Sequence, residues 1–329
     1  MSSTRPEGAE LRAGSVAVVC VPALELRREP DHRSECVTEC VMGSELAVRE
    51  ACDGGKWLLV RAPDGYEAWA RSWGTVPLSD EWSEGQHCVI REPFALLHVE
   101  RRDHDMLGVV SSLGMGCRLR RIEGDEHEHE DEDGELRVAT PDGREGWISS
   151  SAATSDETAR RARFWEPSDP MPTPDFTRAL ASAVLTRALM LVGVGYRWGG
   201  ASASGVDCSG LMRLAFGLEG IALPRDARDQ AVALAPWRIE EPASHAGTGD
   251  LVFFGESLEG ADHVAIGCGL GPCGELDRPG RILHASGRVR ISSLDPADED
   301  RFEPNLLARA CAVIRPPWRP GGPRDEDDG

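Results

Sequence analysis

The stretch Tyr196-Arg-Trp-Gly-Gly-Ala-Ser-Ala-Ser-Gly-Val-Asp-Cys-Ser-Gly-Leu, ending at Leu211, constrains this chain more than any other. A loop rich in Gly and Ser runs into Asp207-Cys208-Ser209-Gly210. Leu211, Leu214, Ala215 and Leu218 then recur on one stripe of a helix. Cys208 is thereby expected in the first helical turn, where unpaired backbone N–H groups and the positive end of the dipole favour negative charge. A thiol so placed is drawn toward the thiolate, the form that attacks carbonyl carbon. Two plainer readings stand beside this one. A buried cysteine can serve as a small hydrophobe, and Asp207 is a good helix N-cap by its own chemistry.

The residues ahead of this stretch read as short strands between turns. Ser15-Val-Ala-Val-Val-Cys-Val, Ser44-Glu-Leu-Ala-Val-Arg-Glu and Lys56-Trp-Leu-Leu-Val-Arg-Ala lead to Pro63-Asp64-Gly65 and the return strand Tyr66-Glu-Ala-Trp-Ala. The pattern recurs in Cys88-Val-Ile-Arg, Cys117-Arg-Leu-Arg-Arg-Ile and Leu136-Arg-Val-Ala-Thr, then Pro141-Asp142-Gly143 and Arg144-Glu-Gly-Trp-Ile. A Pro-Asp-Gly turn before a Trp-containing strand in both halves is an internal repeat. Its strand order resembles bacterial SH3-like β-barrel modules, so two tandem barrels are expected.

Domain boundaries follow from these shifts in composition. A disordered N-terminus covers residues 1–12, the first barrel 13–77 and the second 78–152. A Ser-, Thr- and Pro-rich linker spans 153–175, a third domain 176–317 and a disordered acidic tail 318–329. In the third domain Thr173 and Pro174 open a helix whose face is Phe176, Leu180, Val184, Ala188 and Leu191. The Cys208 helix and a short helix after Leu223-Pro-Arg-Asp-Ala follow. Runs beginning at Asp250, His263, Ile282 and Ala310 then read as strands, an α+β layout.

Charge and cysteine usage narrow the partners. The formal net charge is −20 and no basic patch stands out, which argues against nucleic acid as a partner. Met1–Gly14 is polar, without an apolar core of signal-peptide length, and no run could span a membrane. A cytoplasmic protein with no membrane partner is the expectation. Ten irregularly spaced cysteines read as reduced thiols. Cys36 with Cys40, or Cys268 with Cys273, could form half a metal site, but no second pair with suitable spacing follows. His127 and His129 lie in the acidic run 123–134, read as a solvated hairpin loop. No metal and no cofactor is implied.

A thiolate nucleophile needs a base, and the base a partner that orients it. His263 opens one apolar strand and His284 sits in the next. Together Tyr196-Arg-Trp-Gly-Gly, Val206-Asp-Cys-Ser-Gly, Gly249-Asp-Leu-Val-Phe-Phe, Asp262-His-Val-Ala-Ile and His284-Ala-Ser-Gly resemble, in order, the motifs of NlpC-type (NlpC/p60) papain-like cysteine peptidases. The resemblance implies that Cys208 is the nucleophile, His263 the general base and His284 its orienting partner. Tyr196 and the Cys208 N–H would be the oxyanion donors. The domain order resembles the subgroup with two leading SH3-like domains, which cleaves γ-D-glutamyl–diamino acid bonds in peptides beginning with free L-Ala, as in muropeptide recycling. It implies that Asp207, with Glu35 and Tyr66 of the first barrel, receives the substrate's amine, and that Ser209 touches substrate. Ala227 stands where a substrate-contacting serine is frequent. Three alternatives remain at this stage: a secreted endopeptidase of intact wall, a non-catalytic wall-peptide binder, and thioester-dependent acyl transfer.

Overall fold

Apolar–polar alternation and tight Asp-Gly turns build the first part of the chain into strands too short to stand alone. The computed structural model describes residues 11–100, 108–122, 134–155, 174–269 and 278–316, and of residues 174–178 only the backbone. Expectations for both termini, most of the linker, Thr173, the Phe176 side chain, the acidic run with His127 and His129, and Cys273 fall outside the described residues. The chain divides into two units, residues 1–156 and 157–329.

In the first unit, strands β1 (Val16–Val19), β2 (Ala23–Arg27), β3 (Cys36–Val41) and β4 (Glu45–Cys52) precede β5 (Trp57–Arg61), β6 (Glu67–Arg71) and β7 (Thr75–Pro77). Helix α1 (Asp80–Glu84) leads to β8 (His87–Ile90), β9 (Phe94–His98), β10 (Val109–Gly114) and β11 (Arg118–Arg121). Strands β12 (Glu135–Ala139), β13 (Glu145–Ser149) and β14 (Ala153–Ser155) complete the unit. The sheets run β3-β2-β6-β5-β4-β1-β7 and β10-β9-β13-β12-β11-β8-β14, the same order strand for strand. The sequence repeat is thus a repeat of topology. Both Pro-Asp-Gly turns sit between equivalent strands, and their glycines, at φ +83° and +81°, take the left-handed conformation the turn requires. Each barrel has its own apolar core, Leu26, Leu46, Leu58 and Val60 in the first and Ile90, Leu97, Leu119 and Ile148 in the second. Met42 of the first sequence repeat joins the second core. Its carbonyl accepts from the Arg118 N–H at 2.9 Å, which ties the two barrels together.

The second unit begins with α2 (Pro174–Leu189), the hairpin β15 (Ala201–Ser202) and β16 (Gly205–Val206), and α3 (Cys208–Gly217). Helix α4 (Ala227–Leu234), β17 (Arg238–Ile239), β18 (Leu251–Gly255) and β19 (Ala261–Gly267) follow. Strands β20 (Arg281–Ser286) and β21 (Arg288–Ser293), helix α5 (Pro304–Leu307) and β22 (Ala310–Ile314) end the unit. The antiparallel sheet runs β17-β22-β18-β19-β20-β21. Val252, Phe254, Ala265 and Ile282 pack on one face, while Phe253, Val264 and Leu283 are buried on the other. Helix α3 lies against α2, β19 and β20. Its buried stripe is broader than the sequence pattern foretold, since Met212 and Phe216 join Leu211, Ala215 and Leu218. The nine described cysteines are free thiols.

Candidate active site

The loop ahead of α3 brings Tyr196, Asp207 and Cys208 together by backbone contacts that only glycine permits. Tyr196 bridges to Val206, and the Asp207 N–H donates to Gly200 O at 3.0 Å. A Cβ on Gly210 would stand 2.1 Å from Gly200 O, and one on Gly200 would stand 2.4 Å from Gly205 O. The Gly-rich spacing therefore lets the helix start press against the preceding loop.

Cys208 is the first residue of α3 and 5% exposed. Its Sγ lies 4.0 Å from Asp262 O, and the backbone N–H groups of Val264 and Ser209 point at it. The sulfur thus rests on the β19 backbone to either side of His263. His263 Nε2 is 2.8 Å from His284 Nδ1, and His284 Nε2 is 3.0 Å from Ser292 Oγ. With Nε2 engaged by His284, Nδ1 is the other His263 nitrogen. For His263 Nδ1 to accept a proton, the matching tautomers are His263 Nε2–H donating to His284 Nδ1 and His284 Nε2–H donating to Ser292 Oγ. His263, His284 and Ser292 thus form one hydrogen-bonded chain, and Cys208 lies at the head of α3 against the β19 backbone that carries His263.

Burial, and next the Asp207 charge, push the Cys208 thiol up to about 11. Burial lowers His263 to about 4; burial, reinforced by His263, lowers His284 to about 3. This corrects the expectation of a resting thiolate. The helix terminus favours negative charge, but desolvation outweighs it, and the pair rests as neutral thiol and neutral imidazole. Burial also raises Tyr196 to about 12, so its hydroxyl stays a donor at neutral pH.

Asp207, 6% exposed, caps the helix. Its Oδ1 accepts from Gly210 N at 2.7 Å, Ser209 Oγ at 3.2 Å and an Arg225 guanidinium nitrogen at 3.1 Å. Its Oδ2 accepts from Gly199 N at 3.0 Å and from Arg225 at 2.5 Å. Of the two parts open to Asp207, helix cap and amine partner, the structure displays the cap. Ser209 is buried in the same network, receiving Arg225 at 2.8 Å. Gln230 donates to Ser209 O at 3.2 Å and Pro224 O at 2.9 Å, holding the segment before Arg225 against α3. Ala227, 6% exposed, opens α4.

Glu35 and Tyr66 belong to the first unit. Glu35 is exposed just before β3 and pairs with Arg28 at 2.7 Å. Tyr66 is half-buried against the first barrel's core. Sequence reasoning missed Arg225, Gln230 and Ser292. The signal for Arg225 was a cation inside the apolar-flanked Leu223-Pro-Arg-Asp. For Ser292 it was a serine pair closing the alternating Arg-Val-Arg-Ile.

Comparison with known proteins agrees with this architecture. Residues 193–305 match the NlpC/P60 family, and residues 26–72 match the bacterial dipeptidyl-peptidase SH3 domain. Dipeptidyl-peptidase 6 of Lysinibacillus sphaericus is 27% identical over 286 residues, covering 85% of this chain and 92% of that protein. A γ-D-glutamyl-L-lysine dipeptidyl-peptidase of Bacillus subtilis is 32% identical over 154 residues, 46% of either chain. The crystal structure of an NlpC/P60 family protein from Bacillus cereus superposes with a TM-score of 0.67 at 19% identity, covering 91% of this chain and 99% of that one.

Proposed function

Because the chain carries an NlpC/P60 peptidase domain behind an all-β SH3-like region, we propose that it hydrolyses the γ-D-glutamyl–diamino acid bond of short wall peptides with a free N-terminal L-Ala. The observation that carries the chemistry is the His263–His284–Ser292 hydrogen-bonded chain on the sheet whose β19 backbone touches the Cys208 sulfur. Support for the bond comes from relatives named dipeptidyl-peptidase 6 and γ-D-glutamyl-L-lysine dipeptidyl-peptidase.

In this reading His263 Nδ1 takes the thiol proton as Sγ attacks the γ-carbonyl carbon. The Cys208 N–H and the Tyr196 hydroxyl receive the oxyanion. Collapse breaks the C–N bond, the imidazolium protonates the leaving amine, and water then hydrolyses the thioester by the same base. Glu35 and Tyr66 belong to the proposal as partners of the free amine, and Asp207 contributes its charge from within the cap. Ser209, whose hydroxyl is engaged with Asp207 and Arg225, shapes the cap beside the substrate. The cytoplasmic location is part of the same proposal and is read by cell fractionation.

The test is incubation with L-Ala-γ-D-Glu peptides ending in lysine or diaminopimelate, with and without N-acetylation, products being read by mass. Release of L-Ala-D-Glu from the free-amine peptides alone is the expected result. Equal turnover of acetylated peptides, or activity confined to intact wall, would contradict it.

A further inference from the structure

An anion one residue before the nucleophile is unfavourable for this chemistry. The Asp207 charge faces the sulfur as it becomes a thiolate, and it faces the oxyanion beside Tyr196. The same buried pocket holds a cation. Arg225, 3% exposed, grips both Asp207 oxygens, at 3.1 and 2.5 Å, and reaches the Ser209 hydroxyl at 2.8 Å. Gln230 fastens the backbone beside it to the first turn of α3. We propose that Arg225 is a positioning residue for the reaction: it offsets the Asp207 charge at the sulfur and locks the carboxylate into the cap, so that the helix terminus presents its N–H groups to developing negative charge.

The fork geometry fits this part better than a general structural one. Two parallel N–H donors on one carboxylate hold its plane as well as its charge. The third contact fixes Ser209, the residue directly after the nucleophile. Electrostatics have the same sign at both reacting groups, since Asp207 opposes and Arg225 favours the anions of Cys208 and Tyr196. The Asp262 carbonyl of β19 touches Cys208, the Asp262 carboxylate pairs with Arg309, Arg290 and Arg309 act on His263, and Asp226 adds a second carboxylate near Arg225. Helix α2 brings Arg187 paired with Glu219, and α4 brings Arg228 paired with Asp229. Strands β15 and β16 bring no charge.

The inference rests on the reading of Cys208 as nucleophile, so the experiment reads Cys208 directly. Its alkylation by iodoacetamide in the full chain is followed across pH by peptide mass, with thermal melting as a check of folding. Arg225→Gln should slow alkylation at pH 7 about tenfold and move the alkaline midpoint up by about one unit. Asp207→Asn should move it down, and Asp207→Asn/Arg225→Gln should fall between the two. Arg225→Lys, which keeps the charge but loses the parallel donors, should fall between the wild type and Arg225→Gln. If Arg225→Gln does not fold, Asp207→Asn and Arg225→Lys still carry the sign test. A double variant slower than either single one, or an upward shift with Asp207→Asn, would overturn the proposal and leave a merely structural cap. Peptide hydrolysis undiminished in folded Cys208→Ala would overturn the nucleophile reading, and this inference with it. Normal wild-type reactivity with an unmoved midpoint in every variant would overturn only the part given to Arg225.

Discussion

His263, His284 and Ser292 form a hydrogen-bonded series on the strands beside Cys208. Replacing His263 with Ala removes the proton acceptor and should lower kcat/KM by about 10²- to 10⁴-fold. Replacing His284 leaves a base that can turn, so the loss should be smaller. Ser292→Ala removes one neutral hydrogen bond from the buried His284, which predicts a loss of about three- to tenfold. Steady-state kinetics on the three variants test this order, and a His284 variant weaker than the His263 variant would reverse base and orienter. Acid stability follows from the same residues. His263 falls from 6.5 to about 4 on folding, so between those values the unfolded chain binds a proton that the native one excludes. Stability is full above about pH 6.5 and declines as pH falls through this window, by on the order of 3 kcal/mol from His263 alone. Urea melts at pH 7 and pH 5 should differ in midpoint in wild type, and differ less in His263→Gln.

At the level of elements, the start of α3 depends on close backbone approach more than on helix propensity. Gly210→Ala would place a methyl 2.1 Å from Gly200 O and must push the helix off the loop. The expected cost is about 1–3 kcal/mol, with a larger fall in kcat than in KM because Cys208 and Tyr196 separate. Thermal melting with kinetics checks both. Much of this was legible beforehand. The Gly–Ser loop, the cap and the nucleophile share one contiguous run of sequence, and the Asp-Gly turns mark both barrels. Strands β2, β3, β9 and β10 went unread because no Asp-Gly turn frames them. Strand β21 escaped because Arg288 and Arg290 interrupt its apolar residues. Arg225 and Ser292 lie 17 and 84 residues beyond Cys208 in the chain, and only the packing of α4 and β21 brings their partners to them. The resting protonation of Cys208 was misjudged for a related reason: helix position is visible in sequence, whereas burial is a property of the packed sheet.

At the level of the molecule, two barrels of one topology precede an α+β unit whose residues 193–305 match the NlpC/P60 family. A free amine loses solvation on binding, and carboxylates must replace it. Acetylating the L-Ala nitrogen should therefore cost about 2–5 kcal/mol in kcat/KM, and Glu35→Gln should narrow the difference between free and acetylated peptides. A Glu35→Gln variant that discriminates as well as wild type would remove the first barrel from specificity. The central claim is hydrolysis through Cys208, and the most direct measurement is release of diamino acid from L-Ala-γ-D-Glu-diamino acid by wild type and by folded Cys208→Ala. The account predicts steady release by the wild type and a loss of at least about 10³-fold in the variant. Comparable release by the variant, or cleavage at a different bond by the wild type, would contradict it.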